Sequence, residues 1–226
     1  MARIDIRGDI VPTEFGRYYE FFKHDYTSPK TVRDSIALAQ PDEPLDVHIN
    51  SGGGFVVAAQ EIYTTLLQHE RRVRTHIESA AYSCAGWIAM IGESEISPVA
   101  LLMVHNVMGG ASGDYHAMEK EAEVLRQMNA ALCEAFCRKT GKSLDEMLAI
   151  MDRETWLTAN QCVEMGFVDR IMAPAKGRRR SNAAGDIWLT EERMQEADKA
   201  IAEAEKTAQT SKEKEEILKD LFLFGA

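Results

Sequence analysis

The chain has 226 residues, 45% of them hydrophobic, enough for one sizeable core with an appendage rather than several domains. Its formal net charge of −10 argues against a phosphate-binding surface as the main function, so nucleic acid is not an expected partner. The four cysteines, Cys84, Cys133, Cys137 and Cys162, form no CxxC pair and have no histidine at zinc spacing. Neither a metal, a cofactor nor a disulfide framework is therefore expected. No signal-peptide pattern opens the sequence, and no apolar stretch is long enough to cross a bilayer. A protein of the reducing cytoplasm, with no membrane partner, is the expectation.

Along the chain, Arg3 to Arg7 alternates Ile with polar residues before Gly8, which predicts a short strand and a turn. Ser28-Pro29 is a helix start, with Ser as cap and Pro at the first helical position, and the helix is expected over Thr31 to Gln40. Leu45 to Ile49 reads as a strand, Ser51-Gly52-Gly53-Gly54 as a turn, and Val56 to Leu67 as a helix. A strand over Arg72 to Ile77, a small-residue helix from Ser83 to Ile91 and a β-rich stretch from Ile96 to His105 follow. His116 to Lys139 carries Val124, Leu125, Met128, Leu132 and Phe136 at helical spacing, a long amphipathic helix. Ser143-Leu144-Asp145-Glu146 and Thr158-Ala159-Asn160-Gln161 fit the capping box, and Phe167 to Ile171 is a brief strand.

Alternating strands and helices predict an α/β domain over residues 1–174 with a largely parallel sheet. Residues 175–187, with the basic run Lys176-Gly177-Arg178-Arg179-Arg180, read as a flexible linker. Residues 188–226 read as a charged helical extension ending in the apolar run Ile217 to Phe224, which would dock on a partner.

Three segments carry chemistry. Consecutive glycines at 52–54 would let backbone amides approach a ligand, although without the Lys-Ser/Thr of a P-loop. Ser83 stands where a helix of small residues begins, which offers free N–H groups and a favourable dipole to developing negative charge. His105 ends the apolar strand Leu101-Leu102-Met103-Val104. Taken singly, these also read as a tight turn, a helix cap and a core histidine.

In this order and spacing, from about Ile4 to Ile171, they resemble the ClpP family of self-compartmentalised serine peptidases. Ile49-Asn50-Ser51-Gly52-Gly53-Gly54 is similar to that family's Asn-Ser-Pro-Gly-Gly turn, with Gly52 replacing the proline. Ser79 to Gly86 resembles its nucleophile segment, and Met103 to Asn106 with Gly109-Gly110 its histidine segment. Trp156-Leu157-Thr158-Ala159 with Glu164 to Asp169 resembles its C-terminal signature.

The resemblance implies a repeated β-β-α spiral fold of the ClpP/crotonase type, with a long handle helix at 116–139 through which subunits stack into rings. It implies Ser83 as nucleophile, His105 as its base, and the amides of Gly53 and Cys84 as oxyanion donors. Gly54, Met108, Gly109 and Gly110 would bind the substrate polypeptide, whose backbone would pair with that segment as an added strand. The family's third member, an Asp, falls in register on Glu154, with Asp152 as the alternative. Cys84 could itself serve as a nucleophile at a helix start, but the family register uses its amide.

The immediate start in the first strand, the charged C-terminal segment and Glu154-Thr155-Trp156-Leu157-Thr158-Ala159 resemble the ClpP-like head-maturation proteases of tailed phages and prophages. Scaffold or capsid proteins would then be the substrates, cut inside a procapsid without an ATPase. The alternatives are an ATPase-dependent housekeeping peptidase, an inactive assembly protein, and an acyl-CoA enzyme of the crotonase type.

Overall fold

A computed structural model describes residues 2–40 and 43–173, together with Gln195 and Lys199. The chain divides into two compact units, Met1–Pro174 and Ala175–Ala226. Expectations for the linker, its basic run and the apolar end fall outside the described residues.

The first unit is a mixed α/β fold built on an eight-stranded sheet in the order β2-β1-β3-β4-β5-β8, with β6 and β7 joined to it through β4. The strands are β1 (Ala2–Ile10), β2 (Tyr26–Thr27), β3 (Leu45–Gly54), β4 (Val73–Tyr82), β5 (Glu93–Ile96), β6 (Leu101–Val104), β7 (Thr155–Thr158) and β8 (Arg170–Ile171). Every pairing is parallel except that of β6 with β7. The helices are α1 (Gly16–Phe22), α2 (Pro29–Ala37), α3 (Val56–Leu67), α4 (Cys84–Ala89), α5 (Tyr115–Thr140), α6 (Leu144–Met151) and α7 (Ala159–Glu164).

Side-chain alternation explains the two faces of the sheet. Ile4, Ile6, Leu45, Val47, Ile49, Val73 and Ile77 point inward and join Ile62, Leu66 and Ile88 of the covering helices in one core. Between them in sequence, Asp5, Arg7, Asp46, His48, Arg74, His76, Glu78 and Glu95 form a charged network on the other face. Asp46 accepts from Arg74 Nη2 at 2.8 Å, and its Oδ1 lies 3.0 Å from His76 Nε2. His76 Nδ1 meets Glu95 at 2.8 Å, His48 Nδ1 meets Glu78 at 2.9 Å, and the two imidazoles stack with centroids 4.7 Å apart.

The helix caps follow the sequence closely. Ser28, Ser143 and Thr158 each close a capping box, with Thr31, Glu146 and Gln161 respectively. The strands run longer than their apolar cores. β1 passes through Gly8 as an irregularity in register between Arg7 and Asp9. The glycines 52–54 belong to β3 rather than to a turn, because β1 pairs with that stretch as far as Gly54. Three elements have no counterpart in the sequence reading: β2, β7, and the segment containing α1 with the 3-10 turn Thr13–Phe15 before it. Of the expected strand at Phe167–Ile171 only β8 forms. Among the described residues no helix is long and apolar enough to cross a membrane.

The charged face makes stability depend on acid. Burial alone would raise the Asp46 and Glu95 carboxyls, but hydrogen bonds from Arg74 and His76, and from His76 and Arg170, hold both below their ordinary values. Such carboxylates stabilise fully above their unfolded pKa, about 4, and lose that contribution as pH falls through the lower folded value. Urea unfolding should show stability falling below about pH 4. Asp46→Asn should cost about 1–3 kcal/mol at pH 7 and flatten the acid limb. An acid limb unchanged in the variant would rule out this network as its source.

Candidate active site

The site lies at the carboxyl ends of adjacent parallel strands, where open α/β sheets present their ligands. β4 changes partner along its length, which makes this arrangement. Arg74–Ile77 pair with β5, whereas Ala80, Ala81 and Tyr82 pair with Leu101, Leu102 and Met103 of β6. Ser83 is one residue beyond Tyr82 and His105 two beyond Met103, so the register delivers them side by side. The Ser83 N–H donates to the Met103 carbonyl at 2.9 Å, and Ser83 Oγ lies 2.7 Å from His105 Nε2.

Ser83 is not an ordinary helix cap. Its side chain makes no capping hydrogen bond, and its backbone sits at φ 55°, ψ −127°. That conformation costs a non-glycine residue about 1–3 kcal/mol and persists only where its surroundings impose it. A serine on a strained strand-to-helix bend is the geometry of a nucleophile held outward.

Gly53 lies against this bend. A Cβ on it would come within 2.8 Å of both Ser83 Cβ and the Tyr82 carbonyl, and its φ is +95°. Gly54 has a different neighbour: a Cβ there would meet the Ile10 carbonyl at 2.2 Å, so β1 needs the glycine.

Of the two expected oxyanion donors, Cys84 opens α4, where an amide has no intrahelical acceptor. The Gly53 N–H is instead engaged within its own segment. It donates to Ser51 Oγ at 3.1 Å, and that hydroxyl donates to the Gly8 carbonyl at 2.6 Å. The Cys84 thiol is fully buried, and burial pushes it up to about 12, so it holds its proton at neutral pH. Its position against Ser83 therefore matters through its amide.

The two candidate acids both reach the neighbourhood of His105, and neither hydrogen-bonds to it. β7 runs antiparallel to β6 with Thr155 opposite Val104, so Glu154 falls in register across from His105. At φ 47°, however, its carboxylate turns to accept from Trp156 Nε1 at 3.2 Å. Asp152, the C-terminal cap of α6, accepts instead from Asn106 Nδ2 at 2.8 Å. Sequence reasoning passed over Asn106, which lies next to His105 and ties one acid to the histidine segment.

Gly54, Met108, Gly109 and Gly110 all line one cleft of about 810 Å³. Its walls are Ile10 to Pro12 and Tyr19 on one side and Glu121, Leu125 and Met128 of α5 on the other. Residues 105–112 form no regular strand, so their backbone N–H and C=O groups are not committed to the sheet.

Residues 25–175 match the family model described as Clp protease. The chain belongs to the Clp protease family. Among curated relatives of this Clp-family chain are two described as ATP-dependent Clp protease proteolytic subunit, from two strains of Bacteroides fragilis. Each is 29% identical over 153 residues, 66% of this chain, covering 74% of one relative and 70% of the other. The matched region contains Gly53, Ser83, His105 and both acids.

Gly53 offers a direct test of the packing around the bend. Gly53→Ala should lower the reactivity of Ser83 toward a fluorophosphonate by at least about tenfold, through displacement of the Ser83 hydroxyl from His105 by a fraction of an ångström. Circular dichroism would establish that the fold persists. Undiminished labelling would mean that the Ser83 bend does not depend on this contact.

Proposed function

We propose that this Clp-family chain is a serine endopeptidase, with Ser83 as nucleophile and His105 as general base. The observation that carries the reading is the 2.7 Å contact between Ser83 Oγ and His105 Nε2 at a strained strand-to-helix bend. His105 takes the hydroxyl proton as Oγ attacks the substrate carbonyl, then returns it to the leaving amine. The Cys84 amide donates to the tetrahedral oxyanion, joined by the Gly53 amide once it releases Ser51 Oγ. Glu154 is the proposed third member, since its register faces His105, and a change of its backbone turn would free the carboxylate from Trp156. Asp152 is the alternative, held nearby by Asn106. Substrate polypeptide lies in the cleft of Gly54, Met108, Gly109 and Gly110, within a ring-type homo-oligomer stacked through α5.

The proposed setting is head maturation in a tailed phage or prophage, with scaffold and capsid proteins as substrates and no ATPase. It is supported by the sequence Glu154-Thr155-Trp156-Leu157-Thr158-Ala159 and the charged composition of residues 188–226. The likeness to the Bacteroides relatives, ATP-dependent Clp protease proteolytic subunits, favours a second reading, a proteolytic subunit that works with an ATPase.

Treatment with a fluorophosphonate should label Ser83, and Ser83→Ala should abolish the adduct. His105→Ala should slow labelling by about 10²–10⁴-fold. No labelling in any oligomeric state, with the fold intact, would replace the reading with an inactive assembly protein. Glu154→Gln and Asp152→Asn, compared by the pH profile of labelling, identify the third member: the variant losing more than about tenfold carries the role. Faster protein degradation on addition of an unfolding ATPase with ATP would favour the second setting.

A further inference from the structure

We propose that the cleft lined by Gly54, Met108, Gly109 and Gly110 selects peptides carrying a basic side chain among apolar ones, and that Glu121 is the residue that makes the selection. This rests on the peptidase reading and adds a substrate class to it. The cleft is walled mainly by apolar side chains, yet its two charged lining residues, Asp9 and Glu121, are both acids, and no lysine, arginine or histidine lines it. Asp9 is exposed at the edge and accepts from the Tyr19 hydroxyl at 2.9 Å.

Glu121 is placed differently. It is half-buried on the inner side of α5, and its Oε1 would stand 2.9 Å from a Cβ on Gly109, so the carboxylate rests against the expected substrate-binding segment. Its neighbour Lys120 is committed to Glu123 at 2.9 Å. Among the described residues Glu121 itself has no ion-pair or hydrogen-bond partner. A carboxylate partly withdrawn from water in an apolar cleft gains most from a cation that enters with its own apolar stem. Lysine and arginine side chains fit that description, with a hydrocarbon chain to lie along Leu125 and a charged head to reach Glu121. A glutamate in the same place would be repelled.

The test uses binding rather than turnover, so that it stands apart from hydrolysis. Fluorescent peptides in which a single lysine, norleucine or glutamate is moved through an apolar sequence are titrated against the assembled Ser83→Ala protein. At one position lysine should bind at least about tenfold more tightly than norleucine, as expected for a hydrogen bond to a charged group. Glutamate should bind more weakly than either. Glu121→Gln should reduce the lysine preference over norleucine to near unity, with Glu121→Ala as a second variant. Equal binding of lysine and norleucine at every position, a preference that survives Glu121→Gln, or no binding of any peptide overturns the inference. Fluorophosphonate labelling of the unmodified protein separately tests the hydrolytic reading, so selective binding without labelling would overturn that reading alone.

Discussion

The arrangement depends on the divided pairing of β4. A strand that bonds β5 over its first half and β6 over its last three residues carries two neighbours on one edge, and its end projects beside the end of β6. The hydrogen bond from Ser83 N–H to the Met103 carbonyl fixes that register. A slip by one residue would reverse every side chain of the strand and carry Ser83 away from His105. The same register lets α4 begin at Cys84, so Ser83, His105 and the helix-start amide come from one pairing decision.

Strain and close packing sustain each other around this point. Ser83 holds a positive φ that its own chemistry disfavours, and Gly53 provides the space beside it by lacking a Cβ. β1 presses on the adjacent Gly54, which keeps the end of β3 in the sheet. The buried Cys84 thiol packs in the core as an inert apolar group, while its backbone opens α4 directly after the serine. The charged face of the sheet lies on the side opposite the apolar core, and its paired ions stabilise the frame without entering the cleft.

The acidic side of the candidate site is looser than the side of Ser83 and His105. Ser83 and His105 are held by strands within a continuous core, whereas Asp152 and Glu154 are exposed residues of the short connection between α6 and β7. Each carboxylate has a local partner, Asn106 or Trp156, that competes with the imidazole. A carboxylate on an exposed connection can change partner at little cost.

The sequence by itself determined the family, every helix but α1, and the identities of Ser83 and His105 as candidates. Capping boxes and apolar periodicity are local signals, and so Ser28, Ser143, Thr158 and the span of α3 were legible without coordinates. Strand ends were not, because the glycines of β3 and the small-residue end of β4, Ala80 to Tyr82, become strand only by pairing with β1 and β6. β7 was hidden for the same reason: its four residues acquire their role from an antiparallel partner more than fifty positions earlier. Only the tertiary structure decided that Gly53 packs on Ser83, that the Cys84 thiol is buried, and that Asp152 is held by Asn106. Those facts depend on distances between strands distant in sequence, which no local pattern encodes.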